Sequence, residues 1–371
     1  MNGMHGIIFS YGKRTELREL IANRIHGSIP FACDYRVVDF MLSNMVNAGI
    51  TDVGVIMHGK CQSLLDHLGS GKSWDLSRNR GGLKLLPAFA YNEHRSDGEG
   101  MFRGKVEALG CVMDYLQHIR QDYVVLADSD IVINLPLQEV LQEHIRVGAD
   151  ITCVCTKKPD ESANTYVKLD HTGRIVDVAC DVNDPSGCGC LNIFILSKEF
   201  LIRTVKDCVA HDRFSFRHDI LQEMHKDHNF HAFVWEGYAA RINSVAAYYE
   251  RSMQLLDTAV RKELFRPERP VYAKENDAAS TYIDPTGECV NSLIADGCDI
   301  QGSVKNCVVF RGVTVEKGAT VENSILFKGT TVRSGAILRC VIADKNVTFN
   351  ENVTLMGHEN YPVVVAKNTE V

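Results

Sequence analysis

The chain has 371 residues, of which 45% are hydrophobic and 23% charged, and its net charge is −7. That length fits two globular domains, each able to bury a core. The acidic balance excludes the basic footprint of a nucleic-acid binder, and no run of about 18 apolar residues is present to cross a membrane as a helix.

The first 245 residues alternate short apolar runs with helical patterns. The runs Ile7–Phe9, Val53–Met57, Tyr123–Ala127, Ile151–Cys155 and Leu191–Leu196 are rich in β-branched types and read as strands. Phe40–Ala48 and Val106–Arg120 read as helices between them. Such alternation predicts a mostly parallel, Rossmann-like α/β sheet that binds ligands at the carboxyl ends of its strands. Val245–Leu264 reads as one amphipathic helix, and Pro267 and Pro270 mark a linker after it.

Beyond residue 280 the pattern changes. Aliphatic or aromatic residues recur at Ile294, Ile300, Val309, Val315, Val321, Leu326, Val332, Leu338, Phe349 and Leu355, mostly six residues apart with some five-residue steps. Gly297, Gly312, Gly318, Gly329 and Gly335 each follow an aliphatic residue by three. Hexapeptide repeats of this kind predict a left-handed parallel β-helix of roughly four coils. The expected organisation is an α/β domain over 1–245, a helix and linker over 246–280, and a β-helix over 281–371.

Three local patterns favour ordinary readings. Gly69-Ser70-Gly71-Lys72-Ser73 resembles a phosphate loop, but Asp66 stands where that motif needs glycine. His225, His228 and His231 fall where a helix gives way to a strand, so a solvated turn is expected. Thirteen scattered cysteines, including the C-x-C pairs Cys153/Cys155 and Cys188/Cys190, predict reduced core thiols and a cytoplasmic location. The start MNGMHGIIFS lacks the basic region of a secretory signal.

Two long stretches carry a family resemblance. Ile29–Asn47 matches P-F-x-x-x-Y-R-x-x-D-F-x-L-S-N, and Trp74–Pro87 matches W-D-L-x-R-x-x-G-G. With the order of elements along the chain, these identify it as similar to the ADP-glucose pyrophosphorylase (glucose-1-phosphate adenylyltransferase) family. The resemblance implies a GT-A-like nucleotidyltransferase domain, in which ATP and glucose 1-phosphate give ADP-glucose and pyrophosphate. That chemistry rests on positioning, cationic side chains and carboxylates that hold Mg²⁺.

Among the departures of this chain from the family's motifs, seven bear on the chemistry. In the loop G-G-x-G-x-R-L, two glycines become Tyr11 and Arg14, and the arginine becomes Glu16. The lysine of K-P-A becomes His26. Of the two metal carboxylates, that of S-G-D-H becomes Ser129, flanked by Asp128 and Asp130, and that of E-G-Y-W-x-D-V-G-T becomes Arg241. The lysine of E-K-P becomes Asp181. The resemblance therefore implies a GlgD-type, non-catalytic chain with no cofactor of its own. It would pair with a GlgC-type catalytic subunit, which supplies Mg²⁺, in a hetero-oligomer expected to be a tetramer; a homo-oligomer is the alternative assembly. Arg24 and Arg36 align near the family's effector site and are candidates for binding an anion. Two other functional readings remain at this point. One is an active nucleotidyltransferase whose metal site is rebuilt on Asp128 or Asp130; the other is a stand-alone sugar-phosphate or nucleotide sensor.

Overall fold

The computed structural model describes residues 3–12, 15–87, 102–157, 163–184, 186–275 and 277–371. These residues fall into two units. One comprises Met1–Gly12, Phe40–Arg241 and Arg269–Val271, and the other Lys13–Asp39, Ile242–Glu268 and Tyr272–Val371. In this division residues 13–39 and 242–268 group with the β-helix.

The first unit is built on nine strands among its described residues: β1 (Met4–Ser10), β2 (Asp52–Met57), β3 (Gly82–Pro87), β4 (Tyr123–Asp128), then a short strand β5 (Ile131–Ile133) outside this sheet, β6 (Ile151–Thr156), β7 (Thr165–Leu169), β8 (Ile175–Cys180), β9 (Cys188–Ser197) and β10 (Phe230–Trp235). The order is β8-β7-β9-β4-β1-β2-β3, with β6 joining β9 to β10. Strands β3, β2, β1 and β4 pair in parallel, while β9 runs antiparallel to both β4 and β6. The sheet is mixed but mostly parallel. All five strands read from the sequence are present, and their runs are largely buried, as strands in a sheet covered on both faces require.

Helices α1 (Val37–Asn47), α2 (Gln62–Leu68), α3 (Lys105–Cys111), α4 (Met113–Gln117), α5 (Leu137–Val147) and α6 (Lys198–Ala210) lie between the strands. The single helix expected over Val106–Arg120 is broken at Val112, where φ is −111°. The break lets Leu109 and Leu116 enter one core with Val106. The Gly69–Ser73 pattern follows helix α2 rather than a strand. His225, His228 and His231 do not converge: His225 Nδ1 pairs with the Gln222 carbonyl (2.8 Å), His228 faces Asp150 (3.5 Å), and His231 Nε2 pairs with the Thr172 carbonyl (3.0 Å). The cysteines of the described residues are free thiols.

In the second unit, three five-stranded parallel sheets form the three sides of the left-handed β-helix. Its inward stacks are Ile300–Val315–Val332–Phe349, Cys289–Val304–Val321–Leu338–Leu355 and Ile294–Val309–Leu326–Ala343–Val365. The coils number five rather than the four expected. Most are shorter than 18 residues, as the register Thr314↔Thr331↔Thr348 shows. The five-residue steps explain the difference: one corner turns on a single residue in the left-handed region, namely Asn291, Asn306, Asn323 and Cys340 in successive coils. Asparagine tolerates that conformation. It also bonds its neighbours here, with Asn291 donating to Asn306 (2.8 Å) and Asn306 to Asn323 (3.1 Å).

The segment expected as one helix over Val245–Leu264 is two, α7 (Val245–Gln254) and α8 (Thr258–Leu264). Asp257 accepts from the Ala259 amide (2.8 Å) and so starts a new helix, while Arg261 donates to the Leu255 carbonyl (2.6 Å) left by the break. Tyr248 in α7 is fully buried and donates to the Pro30 carbonyl (2.8 Å); Tyr249 donates to the Asn323 carbonyl (2.6 Å). These bonds tie α7 to residues 15–39 and to the β-helix.

Two buried imidazoles set a pH dependence. His5 and His144 are 3% and 2% exposed, and burial pushes each pKa down to about 4. Unfolded histidine titrates near 6.5. Between about pH 6.5 and pH 4 the unfolded chain therefore binds protons that the folded chain refuses. Stability is fully present above that window and falls as pH drops through it, by up to about 1.4 kcal/mol per pH unit for each histidine. Urea unfolding between about pH 7.5 and pH 4.5 is expected to show this fall, with a shallower slope in His144→Gln than in the parent chain. A slope unchanged by the substitution contradicts the assignment.

Candidate functional site

Strands β1 and β4 are neighbours in parallel register, with Phe9 opposite Asp128. Their carboxyl ends therefore bring Ser10, Tyr11, Asp128, Ser129 and Asp130 together. Ser129 is fully buried; its hydroxyl donates to Ser10 Oγ (2.9 Å) and its amide to the Phe9 carbonyl (3.0 Å). A short strand β11 (Ala239–Arg241) runs antiparallel to β5, and its register sets Arg241 opposite Ile131, one residue beyond Asp130.

That register places a cation against the carboxylates. Arg241 is 4% exposed, and its Nη1 lies 3.5 Å from Asp130 Oδ2 and 3.9 Å from Asp128 Oδ2. Lys105, the first residue of α3, reaches Asp128 from the other side at 2.9 Å and 3.0 Å. A Cβ at the preceding Gly104 would lie 2.1 Å from the Phe214 carbonyl oxygen, so glycine permits the close approach that starts α3 there. Asn192 Nδ2 donates to Asp128 Oδ2 (2.9 Å). Asn192 adopts a left-handed conformation (φ 57°) at the irregularity of β9 between Cys190 and Ile193, which turns its side chain toward β4.

The Tyr11 ring packs edge-on against Phe102 (4.9 Å between centroids) and Phe9 (6.0 Å). Burial, and then the negative charge of Asp128, raise its hydroxyl pKa well above the ordinary value, so it stays protonated. An aromatic side chain thus fills space where a phosphate loop presents backbone. Arg14 lies outside the described residues.

Mg²⁺ does not fit this arrangement. Ser129 and Arg241 stand where the resemblance implies carboxylates, and among the described residues no three His, Cys, Asp or Glu side chains form a metal-binding group. The fallback ligands Asp128 and Asp130 already face Lys105 and Arg241. A divalent ion about 4 Å from the guanidinium would meet a repulsion of about 8 kcal/mol at an effective dielectric of about 20.

The remaining sequence candidates lie elsewhere. Asp181 follows β8 with φ 56° and pairs with Arg217 (2.8 Å) and His218 (3.0 Å). The Arg217 hydrogen bond, then its charge and His218, hold that carboxyl below its usual range. Glu16, His26, Arg24 and Arg36 belong to the second unit. Glu16 is exposed, whereas His26 is buried in a 3₁₀ turn over His26–Ser28. Arg24 is 4% exposed, and its Nη2 donates to both oxygens of Asp344 at 2.8 Å. Lys345 beside them has its pKa lowered to about 8, first by burial and then by the charges of Arg36 and Arg24. Sequence reasoning missed Lys105, Asn192, Asp344 and Lys345. None carried a motif, since each takes its role from a partner distant in the chain.

Comparison with known proteins adds a second line of findings. A family model for nucleotidyl transferase matches residues 5–239, and one for the GlmU-like C-terminal hexapeptide matches residues 278–360. The chain is 36% identical to the glycogen biosynthesis protein GlgD of Bacillus subtilis, over 99% of this chain and 96% of that protein. It is 34% identical to the GlgD of Geobacillus stearothermophilus, over 86% of this chain and 83% of that protein. It is 30% identical to the glucose-1-phosphate adenylyltransferase of the same organism, over 85% of this chain and 82% of that enzyme.

The charge balance at Arg241 is testable. Arg241→Met keeps much of the bulk but strips Asp130 of that buried cation, and is expected to cost about 3–5 kcal/mol in urea unfolding. Adding Asp130→Asn removes the stranded charge and is expected to restore part of the loss. A single-variant cost below about 1 kcal/mol, or no coupling between the two sites, contradicts the pairing.

Proposed function

Because the chain belongs to the nucleotidyl transferase family that includes the glucose-1-phosphate adenylyltransferases and the GlgD glycogen-biosynthesis proteins, we propose that it is a non-catalytic, regulatory subunit of a glucose-1-phosphate adenylyltransferase. The observation that carries this reading is the guanidinium of Arg241 between Asp130 and Asp128. The attack of glucose 1-phosphate on ATP needs positive charge on the nucleotide's phosphates, supplied from a site open to them. Here the cations are turned inward and spent on the chain's own carboxylates. Each ~1.4 kcal/mol withheld from the transition state is about tenfold in rate, so absence of the metal alone amounts to a thousandfold or more.

On this reading the chain works in the cytoplasm beside a GlgC-type catalytic subunit that holds Mg²⁺, in a mixed tetramer. Selection then acts on the fold as a partner rather than as a catalyst. A stand-alone enzyme with a rebuilt metal site is disfavoured because Asp128 and Asp130 already have cationic partners. A sensor role gains support from a separate observation: beside the Arg24–Asp344 pair in the second unit, burial and then the charges of Arg36 and Arg24 lower the pKa of Lys345, a crowding of positive charge. An anionic effector would relieve that crowding, so regulation and anion sensing are compatible in one subunit.

The test is ADP-glucose synthesis with Mg²⁺ by three preparations: this chain, its catalytic partner, and the two co-expressed. The expected result is no turnover by this chain and a co-expressed rate several-fold above that of the partner alone. Arg36→Gln is expected to leave assembly intact and to weaken any activation by phosphate-bearing effectors. Robust synthesis by this chain alone, or no stable association with the partner, refutes the reading.

A further inference from the structure

The amino ends of β1, β2, β3 and β4, opposite the site described above, surround a cavity of about 390 Å³ within the first unit. Three cationic side chains line it: Arg80 from the turn before β3, Lys84 on β3, and Arg120 before β4. Among the described residues none of the three has a carboxylate partner. That is unusual company in a chain of net charge −7, where acids are plentiful.

The one acid on the wall, Asp52, is already engaged. Its Oδ2 accepts from Gln121 Nε2 (2.5 Å) and from Thr51 Oγ1 (3.4 Å). Gly81 packs against it so closely that a Cβ there would stand 1.8 Å from Asp52 Oδ1, and its φ of +82° is one that other residues rarely adopt. Gly81 and Gly82 therefore hold the turn that carries Arg80 against the foot of β2.

The inner wall is polar and aromatic. Tyr115 lines the cavity, with the Lys84 ammonium 5.4 Å from its ring centre. Its hydroxyl lies 2.8 Å from His5 Nε2. Burial keeps that imidazole neutral. His5 is 3% exposed, and its Nδ1 has no hydrogen-bond partner, so a polar group of a ligand reaching the back wall would have a nitrogen to pair with.

We propose that this cavity binds a small phosphorylated metabolite, with its phosphate held by Arg80, Lys84 and Arg120 and its hydroxyl-bearing body against Tyr115 and His5. After Asp52 is counted, the wall carries two net positive charges. That matches a dianionic phosphate ester better than a single carboxylate. The volume admits a short-chain or monosaccharide phosphate and is too small to enclose a nucleotide sugar. The site stands on the first unit alone and does not depend on the regulatory reading.

The experiment is calorimetric titration of the full chain with glycerol phosphate and with inorganic phosphate. It compares the parent, the triple variant Arg80→Gln/Lys84→Gln/Arg120→Gln, and Arg36→Gln in the second unit. All three cavity cations are exposed, so neutralising them is expected to leave thermal unfolding without ligand unchanged; the three single variants serve if the triple does not fold. The expected result is binding of glycerol phosphate, tighter than inorganic phosphate, weakened at least tenfold (about 1.4 kcal/mol) by the triple variant and untouched by Arg36→Gln. The single variants are each expected to weaken it several-fold. No heat of binding up to about 10 mM ligand, or affinity indifferent to the cavity variants, overturns the proposal. Loss on Arg36→Gln alone also overturns it, placing the phosphate in the second unit. Equal affinity for the two probes overturns the part that assigns an organic body to the inner wall.

Discussion

Two carboxylates buried side by side must be neutralised by something. At the ends of β1 and β4 that constraint falls on Asp128 and Asp130, which are 6% and 0% exposed. A divalent ion is one way to neutralise them. Here the cations Lys105 and Arg241 lie against them at 2.9 Å to 3.9 Å. Much of the local architecture serves this balance. The β5–β11 pairing fixes Arg241, the close approach at Gly104 fixes Lys105, and the left-handed turn at Asn192 adds a neutral donor. A buried ion pair gains little over apolar packing, yet losing one member costs several kcal/mol. Once Arg241 is present, restoring an aspartate there would put three acids against one lysine.

The second unit obeys the same rule at a different place. Asp344 and Arg24 are both nearly inaccessible and meet across 320 residues of sequence. Arg24 thereby ties residues 15–39 to a late coil of the β-helix. Arg311 with Asp34 (2.7 Å) and Tyr248 with the Pro30 carbonyl add further cross-links. Within the second unit the β-helix is the scaffold on which a segment from the start of the chain and helix α7 are both fixed.

The parts of this organisation that were legible in the sequence share a property: each repeats or is local. The hexapeptide period reports the inward stacks directly, and even its five-residue steps correspond to the asparagine corners. The intact Glu236-Gly237-Tyr238 frame located Arg241, and the run before Asp128 located the end of β4. The unreadable parts depend on partners brought together only by the fold. Lys105 reads as an ordinary solvated residue at a helix start. Arg24 carries no sign that its carboxylate lies in the β-helix. Asp257 looks like one more polar residue of an amphipathic helix, although it starts a second one. Periodicity also carries no sign that residues 13–39, which precede most of the sheet in sequence, group with the β-helix.

Charge distribution joins these observations. Where the family fold expects exposed cations and a metal for polyphosphate, the cations of this chain are buried and internally matched. Where no catalytic element is expected, at the amino ends of the strands, Arg80, Lys84 and Arg120 are exposed and unmatched. In the second unit burial, and then the charges of Arg36 and Arg24, lower the pKa of Lys345 to about 8. A cation spent on an internal carboxylate recognises nothing, and one left without a counter-ion attracts an anion from solution. On the readings proposed above, phosphate binding would lie away from the position where binding leads to chemistry, at places where occupancy alone has an effect.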